Sequence, residues 1–368
     1  MPFCEAKCSY CHFAIDPRRP DEARQERYLR ALLVEIAAAE PGPADTLYFG
    51  GGTPSLFAPA RLGRVTCALR ARFDVAPSPE VTLEANPRDL DLAGYRALRA
   101  SGVTRLSLGV QAFDDGVLRE MGRLHTAEDA RRAVDLARSA GCDNLSLDLI
   151  VGWPGETRER FTRALVELLA LGPEHVSLYV LEVEGRTLLS HRKRAGGLQL
   201  PDDDLVADLY LLAVERLESR GLRRYEISNF ARPGFESRHN SKYWDDAPFL
   251  GFGLSAHGAR HGRRRWNHDT YGGYVGAVER GGAPAAVAGE RLLTPRERAG
   301  EALFTGLRRA EGVPLTEFRA RYGVDVLAEY GAALERAFAA GLLEVAADRL
   351  RLTSKGVLLS NEVFEALV

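Results

Sequence analysis

The first two thirds of the chain alternate short apolar runs with stretches of helical periodicity, and this alternation restricts the possible folds more than any other feature. The apolar runs are bounded by glycine and proline, and at least five strand–helix units are visible. Such a pattern predicts parallel strands covered by helices on one side. It favours a barrel or part-barrel of the β/α kind over an antiparallel fold. We expect strands at 46–49, 81–84, 105–109, 144–150 and 175–181, and helices at 21–39, 61–72, 92–100, 127–140 and 158–169.

Three cysteines lie close together at the start of the chain. Cys4, Cys8 and Cys11 have the spacing Cys-x3-Cys-x2-Cys, which suits a metal site better than a disulfide framework. Three thiolates on a cubane iron–sulfur cluster leave one iron without a protein ligand, and chemistry takes place at such an open position. The alternative is a structural zinc site with His12 as the fourth ligand. Neighbouring residues such as Cys11 and His12 rarely bind the same small ion, so the spacing favours the cluster.

The charge balance of the chain argues against some classes of partner. Lys and Arg number 49 and Asp and Glu number 51, which gives a formal net charge of −2. Neither nucleic acid nor a membrane surface is therefore expected as the main partner. The sequence has no recognisable signal peptide and no apolar run of about 18 residues. We expect a cytoplasmic protein with reduced thiols, in which Cys67 and Cys142 are buried in the core.

Polar residues lie at the carboxyl ends of the predicted strands, where the chemistry of β/α barrels collects. A glycine-rich run at 50–54 follows the first strand, Glu84 and Gln111 end the next two, and Asp148 lies in the fourth. Carboxylates commonly accept hydrogen bonds from ribose hydroxyls, so Glu84 and Asp148 are candidates for that task. Together, these residues predict one polar mouth of the barrel.

The run Gly50-Gly51-Gly52-Thr53-Pro54 brings backbone groups close to a ligand without side chains in the way. No Gly-Lys-Ser/Thr follows it, so the run is not a phosphate loop, and an amino-acid head group beside the cluster fits better. Arg123 is a candidate partner for a carboxylate. Tyr10, inside the cysteine loop, either packs against a purine or belongs to the core.

The character of the chain changes after Leu292. Thr294-Pro295-Arg296-Glu297 is a capping box with proline at the first helical position. Three helices, a hairpin across Ala347-Asp348 and a last helix follow, in the order of a winged-helix module. Residues 290–368 carry eleven Lys/Arg against twelve Asp/Glu, which favours a docking or lid role over DNA binding. We divide the chain into a barrel core (1–200), a completion of the barrel (201–289) and a winged-helix-like domain (290–368).

In combination, these motifs resemble the radical S-adenosylmethionine superfamily. The finer similarity is to the oxygen-independent coproporphyrinogen III oxidase group, and within it to the heme chaperone branch. The resemblance covers nearly the whole chain and implies an α/β fold with a partial (β/α)6-type barrel and a C-terminal winged-helix-like domain. The segments that carry it are Cys4-x3-Cys8-x2-Cys11, 50–54, 84–87, 109–111, 122–123, 148–150 and 152–155.

The resemblance also implies a [4Fe–4S] cluster, S-adenosylmethionine and heme as cofactors. The three cysteines would bind the cluster, and the reduced cluster would cleave S-adenosylmethionine to an adenosyl radical. The methionine head would lie on Gly51, Gly52 and Thr53. The rest of the S-adenosylmethionine site would comprise Tyr10, Glu84, Gln111, Arg123 and Asp148.

The segment His239-Asn240-Ser241-Lys242-Tyr243-Trp244 distinguishes the chaperone branch from the oxidase, because it matches the HNxxYW pattern of that branch. Imidazole is a common axial ligand of heme iron, so we expect His239 to bind heme. The alternative is that His239 caps a loop while Tyr243 and Trp244 pack in the core. Phe13 stands where the oxidase has a further cysteine, which also favours the chaperone. Only three residues precede Cys4, so a short first barrel strand is expected.

The resemblance therefore implies a heme chaperone whose partners are heme and heme-acceptor proteins, membrane-associated ones among them, with a homodimer as an allowed arrangement. The alternative is an oxygen-independent coproporphyrinogen III dehydrogenase, which forms protoporphyrinogen IX by oxidative decarboxylation. A third hypothesis is a winged-helix regulator that senses redox state through its cluster. The acidic balance of residues 290–368 counts against it.

Overall fold

The computed structural model describes residues 1–17, 21–183, 185 and 187–367. Its strands are β1 (Pro43–Phe49), β2 (Asp74–Ala85), β3 (Arg105–Gln111), β4 (Leu145–Val151), β5 (His175–Val180), β6 (Arg223–Arg224), β7 (Asn229–Ala231), β8 (His257–Arg260), β9 (Arg263–Asn267), β10 (Val287–Leu292), β11 (Val313–Pro314), β12 (Leu343–Ala346) and β13 (Arg349–Leu352). Its α-helices are α1 (Glu22–Ala38), α2 (Pro59–Arg72), α3 (Leu92–Ala100), α4 (Asp115–Met121), α5 (Ala127–Ser139), α6 (Arg158–Ala170), α7 (Leu188–Arg194), α8 (Asp203–Glu218), α9 (Arg238–Trp244), α10 (Tyr271–Gly281), α11 (Pro295–Gly306), α12 (Leu315–Tyr322), α13 (Val326–Ala339), α14 (Ser354–Leu358) and α15 (Ser360–Glu365).

The main sheet has the strand order β1-β2-β3-β4-β5-β7-β6. Strands β1 to β5 run parallel, while β7 pairs antiparallel with both β5 and β6. Each parallel strand is followed by at least one helix, and the sheet curls into a half-barrel. The predicted α/β part-barrel is therefore confirmed. The sequence pattern does not predict the antiparallel pair β6 and β7, because both strands are too short to show a period.

Successive residues of the parallel strands lie on opposite faces of the sheet, as the two-residue period of a strand requires. One face packs under the helices in the main apolar core, with Leu47, Phe49, Val81, Leu83, Leu106, Leu108, Leu147 and Leu149 among its members. The residues between them form a polar concave face, with Thr46, Tyr48, Glu80, Glu84, Ser107, Ser146 and Asp148 among its members. The helices therefore cover one side of the sheet, and the inside of the half-barrel is polar.

A second, antiparallel sheet with the order β10-β9-β8 follows the half-barrel, and a buried carboxylate joins this region to α1. Glu35 of α1 is 2% exposed, and its Oε2 accepts hydrogen bonds from Gly253 N (2.8 Å) and the Tyr274 hydroxyl (2.7 Å). Its Oε1 accepts a bond of 2.7 Å from the Asn267 amide and lies 3.4 Å from Arg265 Nη2. Burial raises the pKa of Glu35, and these donors oppose the rise.

The C-terminal region begins with the predicted capping box. The Thr294 side chain accepts a hydrogen bond from Glu297 N, and Pro295 opens α11. Helices α12 and α13 and the β12–β13 hairpin follow in the predicted order, but two short helices, α14 and α15, stand where the sequence predicts a single last helix. The hairpin turns at Ala347 and Asp348, whose φ angles of 49° and 64° suit a two-residue turn. The division of the chain after residues 200 and 289 stays a prediction.

The structure tests the prediction that Cys67 and Cys142 are buried in the core. Cys142 is buried as predicted, but Cys67 is exposed. The prediction for Cys67 was wrong because α2 turns Leu62, Val65 and Leu69 toward the core instead.

Across the described ranges, no helix combines the length and the apolar character needed to cross a membrane.

Candidate functional site

A cavity of about 840 Å³ opens at the carboxyl ends of the parallel strands, and we call it the cluster cavity. It brings together eleven of the predicted site residues, although they come from distant parts of the sequence. They are Cys4, Cys8, Tyr10, Cys11, Gly51, Gly52, Thr53, Glu84, Gln111, Arg123 and Asp148. Residues 357–362 of the C-terminal region also line it, a position that suits a lid.

The three N-terminal cysteines are half-buried free thiols. Cys4 Sγ lies 3.4 Å from Thr53 Oγ1, and Cys8 Sγ lies 3.7 Å from Arg123 Nη1. Burial raises the pKa of Cys4 to about 11 and also raises the pKa of Cys11. Cys4 and Cys11 therefore keep their protons near neutral pH until a metal binds, and metal binding must release these protons.

The donor set suits an iron–sulfur cluster. Within the described residues, no group of three or more His, Cys, Asp or Glu side chains is arranged to hold one metal ion. A cubane cluster makes a different demand, because each thiolate binds a different iron. Two buried polar atoms of this cavity, Gln111 Oε1 and Arg123 Nε, have no hydrogen-bond partner among the described residues. Such orphaned atoms are expected where a ligand completes the site.

Arg123 ties the ends of two strands to the cysteine loop. Its Nη2 donates hydrogen bonds of 2.6 Å to both Asn86 Oδ1 and the Gly109 carbonyl. Its Nη1 is the atom that faces Cys8 Sγ. The guanidinium therefore holds a fixed orientation at the cavity wall, as recognition of a carboxylate requires.

The glycine run packs against the first residues of the chain. Gly52 N and Thr53 N donate hydrogen bonds of 2.7 Å to carbonyls of residues 1–3, and Gly51 N donates to Glu84 Oε2 at 3.1 Å. A Cβ at Gly52 would lie 2.7 Å from a backbone oxygen, so glycine is required there. In the described part of the chain, the carbonyls of Gly51 and Gly52 accept no hydrogen bond. The run therefore offers acceptors, which suit the ammonium of an amino-acid head group, and not free N–H donors.

Two carboxylates line the cavity from β2 and β4. Glu84 Oε1 accepts a hydrogen bond of 2.6 Å from the Tyr48 hydroxyl, and Asp148 Oδ1 accepts one of 3.2 Å from Ser107. Burial raises the pKa of Glu84. Burial, with the nearby charge of Glu84, raises the pKa of Asp148 to about 7. Near neutral pH, Asp148 can thus both accept and donate a hydrogen bond to a ribose hydroxyl.

Gln111 has an unusual backbone conformation at the end of β3. Its φ angle is 68°, and the register of β3 against β4 shifts between Leu108 and Gln111. A non-glycine residue in this region costs about 1–3 kcal/mol, and such strain clusters at functional sites. A bulge also re-aims a side chain, and the Gln111 side-chain oxygen is the orphaned acceptor noted above.

The Tyr10 ring faces the cluster cavity and also packs against the protein. It meets Trp153 edge to face, with ring centroids 6.2 Å apart, and Trp153 is 2% exposed. The two alternatives from the sequence, contact with a purine and packing in the core, are therefore compatible.

His239 lines a second cavity, of about 610 Å³, beside the edge strand β1, and we call it the His239 cavity. Helix α9 carries His239 and begins after its N-cap Ser237. The Glu80 carboxylate fixes this end of the helix, because it accepts hydrogen bonds from Arg238 N (3.0 Å) and His239 N (2.9 Å). His239 thus lies in a helix and not in a loop, and it is separate from the cysteines. Phe13 lines both cavities.

Three neighbours hold the His239 ring. Its Nδ1 lies 2.9 Å from Thr46 Oγ1, and its Nε2 lies 2.8 Å from the Tyr243 hydroxyl. Its ring stacks on Tyr48, with centroids 4.8 Å apart and an interplanar angle of 26°. Burial, with the charge of Lys242, lowers the pKa of His239 to about 4. The imidazole is therefore neutral near pH 7, as a metal ligand must be.

Sequence reasoning does not single out Thr46, Tyr48, Glu80 or Ser107, all of which contact predicted site residues. A signal for them exists in the alternation along each strand. Residues 46 and 48 share a face of β1, and residues 80, 82 and 84 share a face of β2. Polar side chains that alternate with buried apolar ones in a parallel strand would indicate a ligand-facing wall.

Family comparisons agree with this geometry. Residues 1–168 match the radical SAM superfamily, and residues 293–359 match the HemN C-terminal domain. The half-barrel and its three-cysteine loop thus define a radical S-adenosylmethionine protein.

Relatives along the whole chain narrow the assignment. Heme chaperone HemW of Bacillus subtilis is 35% identical and covers 100% of this chain and 97% of its own length. Heme chaperone HemW of Mycobacterium tuberculosis is 38% identical, with coverage of 100% and 93%. The chain belongs to the heme chaperone HemW family, which confirms the predicted resemblance. The structure of the coproporphyrinogen III oxidase HemN from Escherichia coli has a TM-score of 0.86 at 24% identity, covers 100% of this chain and 88% of its own, and shows the same fold.

Proposed function

We propose that this chain is a heme chaperone, which binds heme and delivers it to acceptor proteins. The relatives that have this name match the chain over nearly their full length. The proposal assigns a [4Fe–4S] cluster and S-adenosylmethionine to the cluster cavity and heme to the His239 cavity. The proposal includes a cytoplasmic location, membrane-associated proteins among the acceptors, and a homodimer. It includes no nucleic-acid partner.

The residues of the cluster cavity divide into ligands and contacts. Cys4, Cys8 and Cys11 are the proposed cluster ligands, and Gly51 to Thr53 the proposed cradle of the methionine head. Glu84, Gln111, Arg123, Asp148 and Tyr10 are proposed as its remaining contacts. When bound, the cluster and S-adenosylmethionine supply one-electron radical chemistry, while the protein orients them and excludes water.

The observation that carries the heme assignment is the environment of the His239 ring. Nδ1 lies 2.9 Å from Thr46 Oγ1, and in the tautomer whose Nδ1–H donates to this oxygen, Nε2 carries the lone pair that binds iron. The Tyr243 hydroxyl occupies Nε2 in this structure, so heme must displace it. The surrounding wall contains Leu47, Phe249, Phe252 and Leu254, and such apolar side chains suit the face of a porphyrin.

The alternative activity is that of a coproporphyrinogen III dehydrogenase, and it has less support. The likeness to HemN at 24% identity concerns the fold alone. Phe13, at the position of the oxidase's further cysteine, places an exposed phenyl ring at the boundary of the two cavities.

Heme titration of the His239→Ala variant tests the proposal. Anoxically reconstituted wild-type protein should take up heme stoichiometrically, with a Soret band typical of a histidine ligand. The variant should bind heme at least about ten-fold more weakly, the loss that corresponds to about 1.4 kcal/mol, and keep its iron–sulfur absorbance. His191→Ala, which changes an exposed histidine of α7, is the matched control.

Two results would contradict the proposal. One is unchanged heme affinity of His239→Ala, which would exclude His239 as the axial ligand of the heme iron. The other is formation of protoporphyrinogen IX from coproporphyrinogen III by the reduced wild-type protein, which favours the alternative activity.

A further inference from the structure

Strand β1 lines the His239 cavity and leads to the cluster cavity. Thr46 and Tyr48 lie on the same face of β1, two residues apart and thus separated by about 7 Å. Both contact the His239 ring, Thr46 through its hydroxyl and Tyr48 through its ring. The strand then runs directly into the glycine run of the cluster cavity.

Tyr48 also reaches the other cavity. Its hydroxyl donates a hydrogen bond of 2.6 Å to Glu84 Oε1, and the second oxygen of Glu84 accepts a bond from Gly51 N. Glu84 lines the cluster cavity and Tyr48 lines the His239 cavity. A single side chain therefore touches the proposed heme ligand with its ring and a proposed S-adenosylmethionine contact with its hydroxyl.

We propose that Tyr48 is a positioning residue that couples the two ligands, so that bound S-adenosylmethionine tightens the binding of heme. This inference rests on the proposed function. A nucleoside hydroxyl that donates to Glu84 restricts the carboxylate. The short hydrogen bond transmits this restriction to the Tyr48 hydroxyl, and the stacked ring transmits it to His239.

The sign of the effect follows from ordering. Heme ligation requires one orientation of the His239 imidazole after the Tyr243 hydroxyl has been displaced from Nε2. If the first ligand has already restricted Glu84 and Tyr48, the second ligand loses less side-chain entropy on binding. The two ligands then favour each other, and by linkage each must raise the affinity of the other by the same factor.

A purely packing role of Tyr48 leads to a different prediction. If Tyr48 served only as a platform for the imidazole, phenylalanine would stack on His239 equally well. The hydroxyl distinguishes the two interpretations, because it is the part of Tyr48 that contacts Glu84. The Tyr48→Phe variant therefore removes the proposed coupling and keeps the ring.

The experiment measures two affinities on anoxically reconstituted protein. Heme is titrated by its Soret band with and without saturating S-adenosylmethionine, and S-adenosylmethionine is titrated by equilibrium dialysis with and without heme. In the wild type, each ligand should tighten the other by about five-fold or more, the usual lower range of allosteric coupling. In Tyr48→Phe, the ratio of heme Kd values without and with S-adenosylmethionine should fall to about one.

Tyr330→Phe is the matched control, since the buried Tyr330 hydroxyl in the C-terminal region has no hydrogen-bond partner among the described residues. It should keep the wild-type ratio. Equal heme Kd values in the wild type with and without S-adenosylmethionine overturn the inference, whether or not the Tyr48 variant folds. Coupling that persists undiminished in Tyr48→Phe also overturns it. Both results leave the proposed function intact as long as His239→Ala loses heme.

Discussion

Removal of the Glu35 carboxylate should destabilise the wall of the His239 cavity before it affects the cluster cavity. Glu35 lies on α1 and is 2% exposed. Through four donors it fastens the segment 253–274 to this helix. Residues from both pieces, Tyr28 and Leu254 among them, line the His239 cavity. Among the described residues, none from α1 or from the segment 253–274 lines the cluster cavity.

The size of the effect follows from the donors that Glu35→Ala leaves behind. The Tyr274 hydroxyl and Gly253 N lose their acceptor in the interior, and each such loss costs about 1–3 kcal/mol. Asn267 costs less, because its amide also donates to the Gly253 carbonyl at 2.8 Å. We expect a total loss of about 2–6 kcal/mol, the sum for the two buried donors that lose their acceptor. Glu35→Gln keeps the volume and one acceptor, so it should cost about 1–2 kcal/mol.

Urea unfolding of the apoprotein measures these losses from the midpoint and slope of the transition. Heme and S-adenosylmethionine affinities of the reconstituted variants then locate the damage. Heme binding should weaken in Glu35→Ala while S-adenosylmethionine binding stays near the wild-type value. Glu279→Gln, which removes a surface ion pair with Arg27, is the control and should unfold like the wild type. A Glu35→Ala variant with the wild-type urea midpoint would refute the reasoning.

Two further predictions concern the cluster cavity. The pKa of Asp148 is raised to about 7 in the folded protein, so the folded apoprotein holds a proton that the unfolded chain has already released above about pH 4. Stability therefore falls as the pH rises from 4 to 7. Asp148→Asn should remove about 3 kcal/mol of the loss between pH 5 and 8 in urea unfolding, and equal pH dependence of the two proteins would contradict this. Arg123→Lys keeps the charge but not the fork that binds Asn86 and Gly109. We expect about ten-fold weaker S-adenosylmethionine binding by equilibrium dialysis, and unchanged affinity would remove Arg123 from the site.

Much of the fold can be predicted from the sequence because its signals are local. The apolar runs of the parallel strands are bounded by glycine and proline, and the helices between them begin with cap residues such as Thr126 and Thr157. The capping box at Thr294 is likewise a local signal. Strands β6 and β7, of two and three residues, carry no periodic signal. The antiparallel pairing of β7 with β5 and with β6 depends on tertiary contacts that the sequence does not express.

The cluster cavity can be predicted for a different reason. In a parallel sheet, the carboxyl ends of the strands meet at one edge, so residues distant in sequence such as Glu84, Gln111 and Asp148 share one mouth. The direction in which the glycine run presents its backbone cannot be predicted in this way. Whether its amides or its carbonyls are free depends on which segment packs beside it, and that segment is the start of the chain itself.

The His239 cavity and its link to Glu84 are the parts that sequence reasoning misses, and the period of β1 explains both. Side chains of a strand alternate between faces, so Thr46 and Tyr48 share the face that contacts His239, and the glycine run begins two residues after Tyr48. Insertion of one residue between Tyr48 and Gly50 would leave the His239 contacts in place but turn the glycine run by one face. Insertion before Thr46 would instead shift both contacts away from α9, because the pairing of β1 with β2 holds the strand in register. The spacing from residue 46 to residue 52 is thus a single constraint on two ligand sites, which neither site would impose alone.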